Sequence, residues 1–330
     1  MKKSVKTLFV LLFITLVSQI GAVSNCEAEN KAEYKWRWAT MTPTDDPQTV
    51  ASQVIADEVQ KQSNGRIEIN IYPNNQLGDY SLVWEELGRG TIESGILCVP
   101  LNFDQRLGVI YFPYLVSNFD EAIEAYSPGG AVFDIVEKLA EKQGVKLLSI
   151  YATGFGGLGL SKLPNNPKNP DETKGAKIRV PPAKSFELLM KRFGYKVTSL
   201  PWAEVYTAIE TGVVDGHMSA GARVTYDMFR DITKCWINYR NWMEFSAFVI
   251  SLDIWNGLSE GDRTILKNAC RKQGELSFPR AEADETLYLE KLRNEEITVI
   301  QFSDEEMAKH KTMARSEVWP QLEEMVGEQI

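Results

Sequence analysis

The chain has few of the residues on which hydrolytic and metal chemistry depend. Its 330 residues include only two histidines, His217 and His310, far apart and without the HExxH spacing of a zinc hydrolase. Its four cysteines form no CxxC pair. Past the leader described below, Cys98, Cys235 and Cys270 are an odd set, read as buried thiols acting as small hydrophobes. Positive charge is also scarce: 36 Lys and Arg against 45 Asp and Glu leave a net charge of −9. That balance argues against nucleic acid and against anionic membrane surfaces as partners. There is no internal repeat and no low-complexity tract.

Two lookalike motifs fail on context. Gly154-Phe155-Gly156-Gly157-Leu158-Gly159 satisfies GxGxxG after an expected strand. A dinucleotide site needs a helix to start at the third glycine, whereas this chain runs into Pro164, Pro167 and Pro170. The glycines suit a hinge or a close backbone approach instead. His217-Met218-Ser219-Ala220-Gly221 has histidine where a nucleophile elbow needs glycine. Acid pairs such as Glu85-Glu86 and Glu295-Glu296 read as solvated helix surface. The chain is therefore not expected to be an enzyme, and no cofactor or metal is expected.

What is present begins with an address. Lys2, Lys3 and Lys6 precede the apolar run Leu8–Ile14, and small residues follow up to Ala28. That is the layout of a secretory signal peptide over residues 1–28. Cleavage near Ser24 and lipidation at Cys26 are the alternatives. No other stretch is long and apolar enough to span a bilayer.

The rest alternates strand and helix. Lys35–Ala39 alternates, Val50, Val54 and Val59 mark a helix that stops at Asn64-Gly65, and Arg66–Tyr72 alternates again with period two. A helix near 81–88, a strand near 92–99, a helix over 120–143 and a strand over 145–152 continue the rhythm. It then restarts with shorter elements, the pattern of two α/β domains with mainly parallel sheets. Near the C-terminus, Ser259 caps a charged, periodic stretch running to about residue 295. Unbroken, it would reach about 50 Å and span both domains, although Pro279 should kink or divide it.

Arg179 is the candidate binding residue. It lies in Lys177-Ile178-Arg179-Val180, with Pro181-Pro182 ending the strand at once. Its guanidinium is permanently charged and matches a carboxylate with two parallel donors. The carboxyl ends of α/β strands are where ligands gather. Trp202, after Pro201, is placed to offer an aromatic face. Glu204 and Asp215 read as structural anchors.

These residues resemble the solute-binding proteins of TRAP transporters (DctP type). The resemblance rests on Gly175-Ala176-Lys177-Ile178-Arg179-Val180-Pro181 and on the run Trp202-Ala203-Glu204-Val205-Tyr206 through Asp215-Gly216. It extends to Gly65–Pro73 with Gln76-Leu77-Gly78, to Phe112-Pro113-Tyr114-Leu115, and to Phe248–Ser251 with Trp255 and Leu258-Ser259. It implies a type II-like, two-domain α/β periplasmic binding protein with hinge strands and a long bridging helix at about 259–295. Domain I is expected over 29–153 and 246–285, and domain II over 154–245 and 286–330. It also implies a periplasmic monomer that closes on a small organic acid, pairs its carboxylate with Arg179 and delivers it to a TRAP-type permease. A sensor-linked receptor and a secreted α/β enzyme are the rival classes.

Three departures from the family shape the ligand expectation. Ser219 stands where an asparagine is common, Phe155-Gly156-Gly157 where some members carry a second arginine, and Asp45-Asp46-Pro47 where His-Pro is common. With Trp38, Phe155, Trp202 and Trp242 expected near the cleft, the ligand is expected to be an apolar or aromatic monocarboxylate. A small sulfonate or hydroxy acid is the alternative. Ser219 and Asn102 are expected to add hydrogen bonds, with Thr42 and Asp79 as further candidates at strand ends of the first domain.

Overall fold

The computed structural model describes residues 32–327 apart from residue 220. The leader and Cys26 lie outside the described residues. The first half opens with β1 (Tyr34–Thr40), α1 (Pro47–Gln62), β2 (Ile67–Tyr72), α2 (Tyr80–Gly88) and β3 (Ser94–Leu97). Alternation in β1 turns Trp36 and Trp38 toward α1, where Ala51, Ile55 and Val59 cover them, and leaves Ala39 on the opposite core. Asp46 starts α1 by accepting the Gln48 N–H at 2.9 Å ahead of Pro47, and Asn64 and Gly65 end it with positive φ.

The single helix expected over 120–143 is in fact two, α3 (Phe119–Tyr126) and α4 (Ala131–Glu141). Pro128 with Gly129, at φ +89°, and Gly130 break it. Beyond them come β4 (Val145–Phe155), β5 (Gly157–Leu160), β6 (Lys177–Val180), α5 (Lys184–Arg192), β7 (Lys196–Ser199), α6 (Val205–Glu210), β8 (Gly216–Ser219), α7 (Ala222–Phe229) and β9 (Cys235–Ile237). The chain continues through β10 (Met243–Ser251), α8 (Leu252–Gly257), α9 (Glu260–Asn294), β11 (Thr298–Ile300), α10 (Asp304–Met313) and α11 (Trp319–Val326).

Two sheets result, in the strand orders β2-β1-β3-β10-β4 and β11-β9-β5-β8-β6-β7. Neither is wholly parallel. β10 runs antiparallel to β3 and β4, and β5 antiparallel to β8 and β9. The cause is connectivity: the chain leaves the first sheet at Gly156 and returns between Ile237 and Met243, so the returning strand enters reversed. An apolar cluster continues from one sheet to the other through Tyr111, Phe186 and Trp242.

Helix α9 joins the two lobes. Its 35 residues reach about 50 Å. Leu266, Ala269 and Cys270 pack under the first sheet, whereas Leu289 and Leu292 pack against Trp236 of the second. Ser259 caps its start, and Arg66 clamps Asp262 of its first turn through two contacts of 3.0 and 2.5 Å. The expected break at Pro279 does not occur. Next to it, Ser277 Oγ donates to the Gly274 carbonyl and accepts from the Ala152 N–H, pinning the helix to β4. Gly274 lets the two approach, because a Cβ there would sit 2.2 Å from Ser149 Oγ.

Candidate functional site

Arg179 occupies the carboxyl end of β6, where Pro181 and Pro182 stop the strand. It is 3% exposed. Nε donates to the Leu200 carbonyl at 2.8 Å, which fixes the plane of the guanidinium. The two terminal nitrogens have no protein partner among the described residues, and no carboxylate lies within ion-pair distance. Burial lowers its pKa to about 10, still far above neutrality, with Tyr80 and Glu244 acting to raise it. A guanidinium hidden from water yet left unpaired is costly, and an incoming anion removes that cost.

Trp202, 40% exposed, lies 5.5 Å from the Arg179 guanidinium across its ring face. Its edge meets His217 and Phe229. His217 is the register partner of Arg179 on the adjacent strand β8. Burial and then the Arg179 charge push its pKa down to about 3, so it is a neutral ring. Among the described residues both its nitrogens lack a hydrogen-bond partner, as does Ser219 Oγ two residues on. Thus Arg179, His217 and Ser219 share the neighbouring interior strands β6 and β8 of the second sheet, with Trp202 against Arg179 and His217.

Most of the remaining candidates are employed elsewhere. Trp38 is a core residue, its side chain fully buried and its indole N–H given to Ser52 Oγ at 3.0 Å. It has no surface left for a cleft because α1 covers that face of β1. Thr42 is tied to Thr49 at 2.9 Å and to Thr40 at 3.2 Å. Asp79 caps α2, accepting from Ser81 and Leu82. Asn102 is exposed on the turn after β3. Phe155 is buried edge-on against Phe119, with Arg240 stacked 4.5 Å above its ring. Asp215 accepts the Lys177 N–H and pairs with Lys162, fastening β6 from behind. The three thiols are free, Cys235 and Cys270 buried and Cys98 half-buried.

The lobe junction is tight at Gly156. Its N–H donates to the Trp242 carbonyl at 3.0 Å, and a Cβ there would meet the Trp242 ring at 2.2 Å. Two charged residues at the junction escaped the sequence reading. Arg223 in α7 reaches Asp46 of the first lobe at 3.1 Å, Asp227 at 3.3 Å and Asp284 of α9 at 3.8 Å. Glu244 is half-buried near the start of β10, where Trp242 Nε1 donates to its Oε2 at 2.7 Å. A lone acid in the apolar run Met243–Ser251 was the signal available for it.

Residues 38–324 match the family described as bacterial extracellular solute-binding protein, family 7 (DctP). An uncharacterized protein of Haemophilus influenzae is 30% identical over 242 residues, 72% of each chain. The ectoine-binding periplasmic protein TeaA of Halomonas elongata is 25% identical over 312 residues, 89% of this chain and 86% of its own. The crystal structure of a TRAP periplasmic solute-binding protein from Haemophilus influenzae with bound L-gulonate superposes with a TM-score of 0.76 at 25% identity. It covers 89% of this chain and 97% of that one.

Proposed function

The chain belongs to family 7 of the bacterial extracellular solute-binding proteins, the receptors of TRAP transporters and not enzymes, and we propose that it is a periplasmic receptor closing on one small organic acid. The observation that carries this reading is the buried Arg179 guanidinium whose terminal nitrogens are unpaired. A ligand carboxylate takes both of them in a bidentate, charge-assisted contact. Trp202 lies against the ligand body, and Ser219 Oγ supplies a further hydrogen bond.

Lobe closure follows from the connectivity. Each sheet is the centre of one domain, and the chain passes between them at Gly156, between Ile237 and Met243, along α9, and again after β11, where Arg315 and Trp319 donate to the Tyr114 and Pro113 carbonyls. A ligand held by Arg179 on one lobe and by groups of the other favours the closed state by its differential contacts. The closed receptor then presents its cargo to a TRAP permease. Among the described residues no helix is long and apolar enough to cross a membrane.

Of the ligand types left open by the sequence, a hydroxy acid is the better supported. A wholly apolar acid would leave His217 and Ser219 without partners beside the charge, whereas hydroxyls satisfy them. L-gulonate in the Haemophilus influenzae structure is an acid of this kind. Mass spectrometry of the molecule released on denaturation, with calorimetric titration of an acid panel, tests the reading. Retention of acid binding by Arg179→Met would reject it.

A further inference from the structure

Glu244 is the only charged residue of β10. It lies opposite Gly154, whose φ is +118°, beside a register shift between Glu244 and Phe245. One carboxylate oxygen is taken by the Trp242 indole N–H. The other, Oε1, has only the Cys98 thiol at 3.8 Å, a weak donor. Among the described residues no Lys, Arg or His lies within ion-pair distance of this carboxylate. Tyr80, Cys98 and Glu244 are all half-buried on the first lobe. Glu244 sits beside the lobe junction, because its partner Trp242 accepts the Gly156 N–H and packs against Phe186 of the second lobe.

Arg179 lies on the other side of that junction: Gly156 donates to the Trp242 carbonyl, Gly157 pairs with Ser219 of β8, and β8 lies beside β6, where His217 is the partner of Arg179. The two charges act on each other across the junction: Glu244 raises the Arg179 pKa, and Arg179 lowers that of Glu244. They do not pair, because each is held back on its own lobe, Arg179 by the Leu200 carbonyl and Glu244 by the Trp242 indole. Among the described residues the junction therefore has an unpaired donor pole on one lobe and a weakly satisfied acceptor pole on the other. A plain alkanoate fills only the first. A diacid would set its second carboxylate against Glu244, a repulsive element that discriminates without any new attraction.

We propose that Glu244 is a specificity residue, accepting a hydrogen bond from a hydroxyl or ammonium at the end of the ligand opposite its carboxylate, and so selecting donor-bearing acids over plain acids and diacids. This rests on the reading of Arg179 as the carboxylate anchor. Hydrogen bonds to a charged acceptor in a dry site are worth enough to shift affinity by tenfold or more.

The test is a set of titrations on the wild-type protein, Glu244→Gln and Arg179→Met. The probes are butyrate, 4-hydroxybutyrate, 4-aminobutyrate and succinate, with hexanoate, 6-hydroxyhexanoate, 6-aminohexanoate and adipate as the longer series. The wild type is expected to bind at least one hydroxy or amino acid about tenfold tighter than its unsubstituted parent, and neither diacid better than its parent. Whether hydroxyl or ammonium gives the larger gain identifies the donor. In Glu244→Gln the preference for ammonium disappears and the diacid gains. Glu244→Asp, whose carboxylate is set back by one methylene, keeps the preference but moves it toward the longer series, which secures the test should the amide variant fold poorly. A wild type that binds no member of either series, or binds parent and substituted acids alike, overturns the proposal. So does an unchanged preference in folded Glu244→Gln. Acid binding that survives Arg179→Met instead overturns the anchor on which the proposal rests, so the two failures are told apart.

Discussion

Arg179 and Arg223 both belong to the second lobe and both serve the junction with the first, yet their surroundings are opposite. Arg223 meets three carboxylates, from Asp46 on the first lobe, Asp227 on its own helix and Asp284 on the bridging helix. Arg179 meets none, although it is the more deeply buried of the two. One guanidinium is consumed in holding protein to protein. The other is held ready by a single bond to a carbonyl, with its charge uncompensated. The contrast is what the proposed reading predicts: structure neutralises its buried charges, and a receptor keeps one open for its cargo.

Removing each arginine should therefore do opposite things. Arg179→Met is expected to weaken binding of the natural acid by at least about a hundredfold, since truncating one side of a buried charge pair costs several kcal/mol. The same change should leave unfolding stability equal or higher, because an unpaired buried charge is gone. Calorimetry and chemical denaturation on one preparation check both halves. Equal losses of binding and stability would erase the distinction.

Arg223→Met should show the reverse, a stability loss of about 2 kcal/mol with affinity reduced only several-fold. Desolvation already raises the pKa values of Asp227 and Asp284, with Arg223 pulling them down. Without the arginine they should rise further, so the deficit should be largest above neutral pH and shrink as these carboxyls protonate. Denaturation at pH 5 and pH 8 measures that slope.

Glu244 sharpens the comparison from the other lobe. Burial raises its pKa to about 6, against the lowering effects of the Trp242 N–H, Cys98 and Arg179. Because the folded pKa exceeds the unfolded value, the native state holds this proton more tightly. Stability is then full below about pH 4 and is lost as pH climbs to about 6. Glu244→Gln should remove this slope, matching wild type near pH 4 and exceeding it by roughly 1–2 kcal/mol above pH 7. A constant difference across that range would mean the carboxyl is not desolvated.

The smallest effect should come from Asp46→Asn. Asparagine caps a helix as well as aspartate does, so α1 keeps its start while the bond to Arg223 loses its charge. A stability change below about 1 kcal/mol with a few-fold faster release of ligand is expected, measurable by stopped-flow fluorescence of the exposed Trp202. A larger stability loss would assign Asp46 to the fold of the first lobe and not to the junction.

Arg179 was legible because its neighbours along the chain carry the message. Ile178 and Val180 make a strand, two prolines end it, and an arginine at that end has few uses. Trp202 followed from the same local punctuation. Glu244 and Arg223 were not legible in this way. Their meaning depends on β10 lying between β3 and β4, strands far earlier in sequence, and on α7 facing the start of α1. Trp38 failed for the same reason: an aromatic near a strand end is core or cleft according to which neighbours the sheet supplies.

The sequence by itself determined the alternation of elements, the close backbone approach at the Gly154–Gly159 run, the reach of the bridging helix and the placing of Arg179 at a strand end. Each of these is written in backbone propensity, proline and glycine punctuation, or periodicity over a few residues. Only the tertiary structure decided that the sheets are mixed, that Pro279 leaves its helix whole, and which charges are paired. Pairing is a matter of distance across the lobes, and distance between residues remote in sequence is fixed by packing, not by pattern.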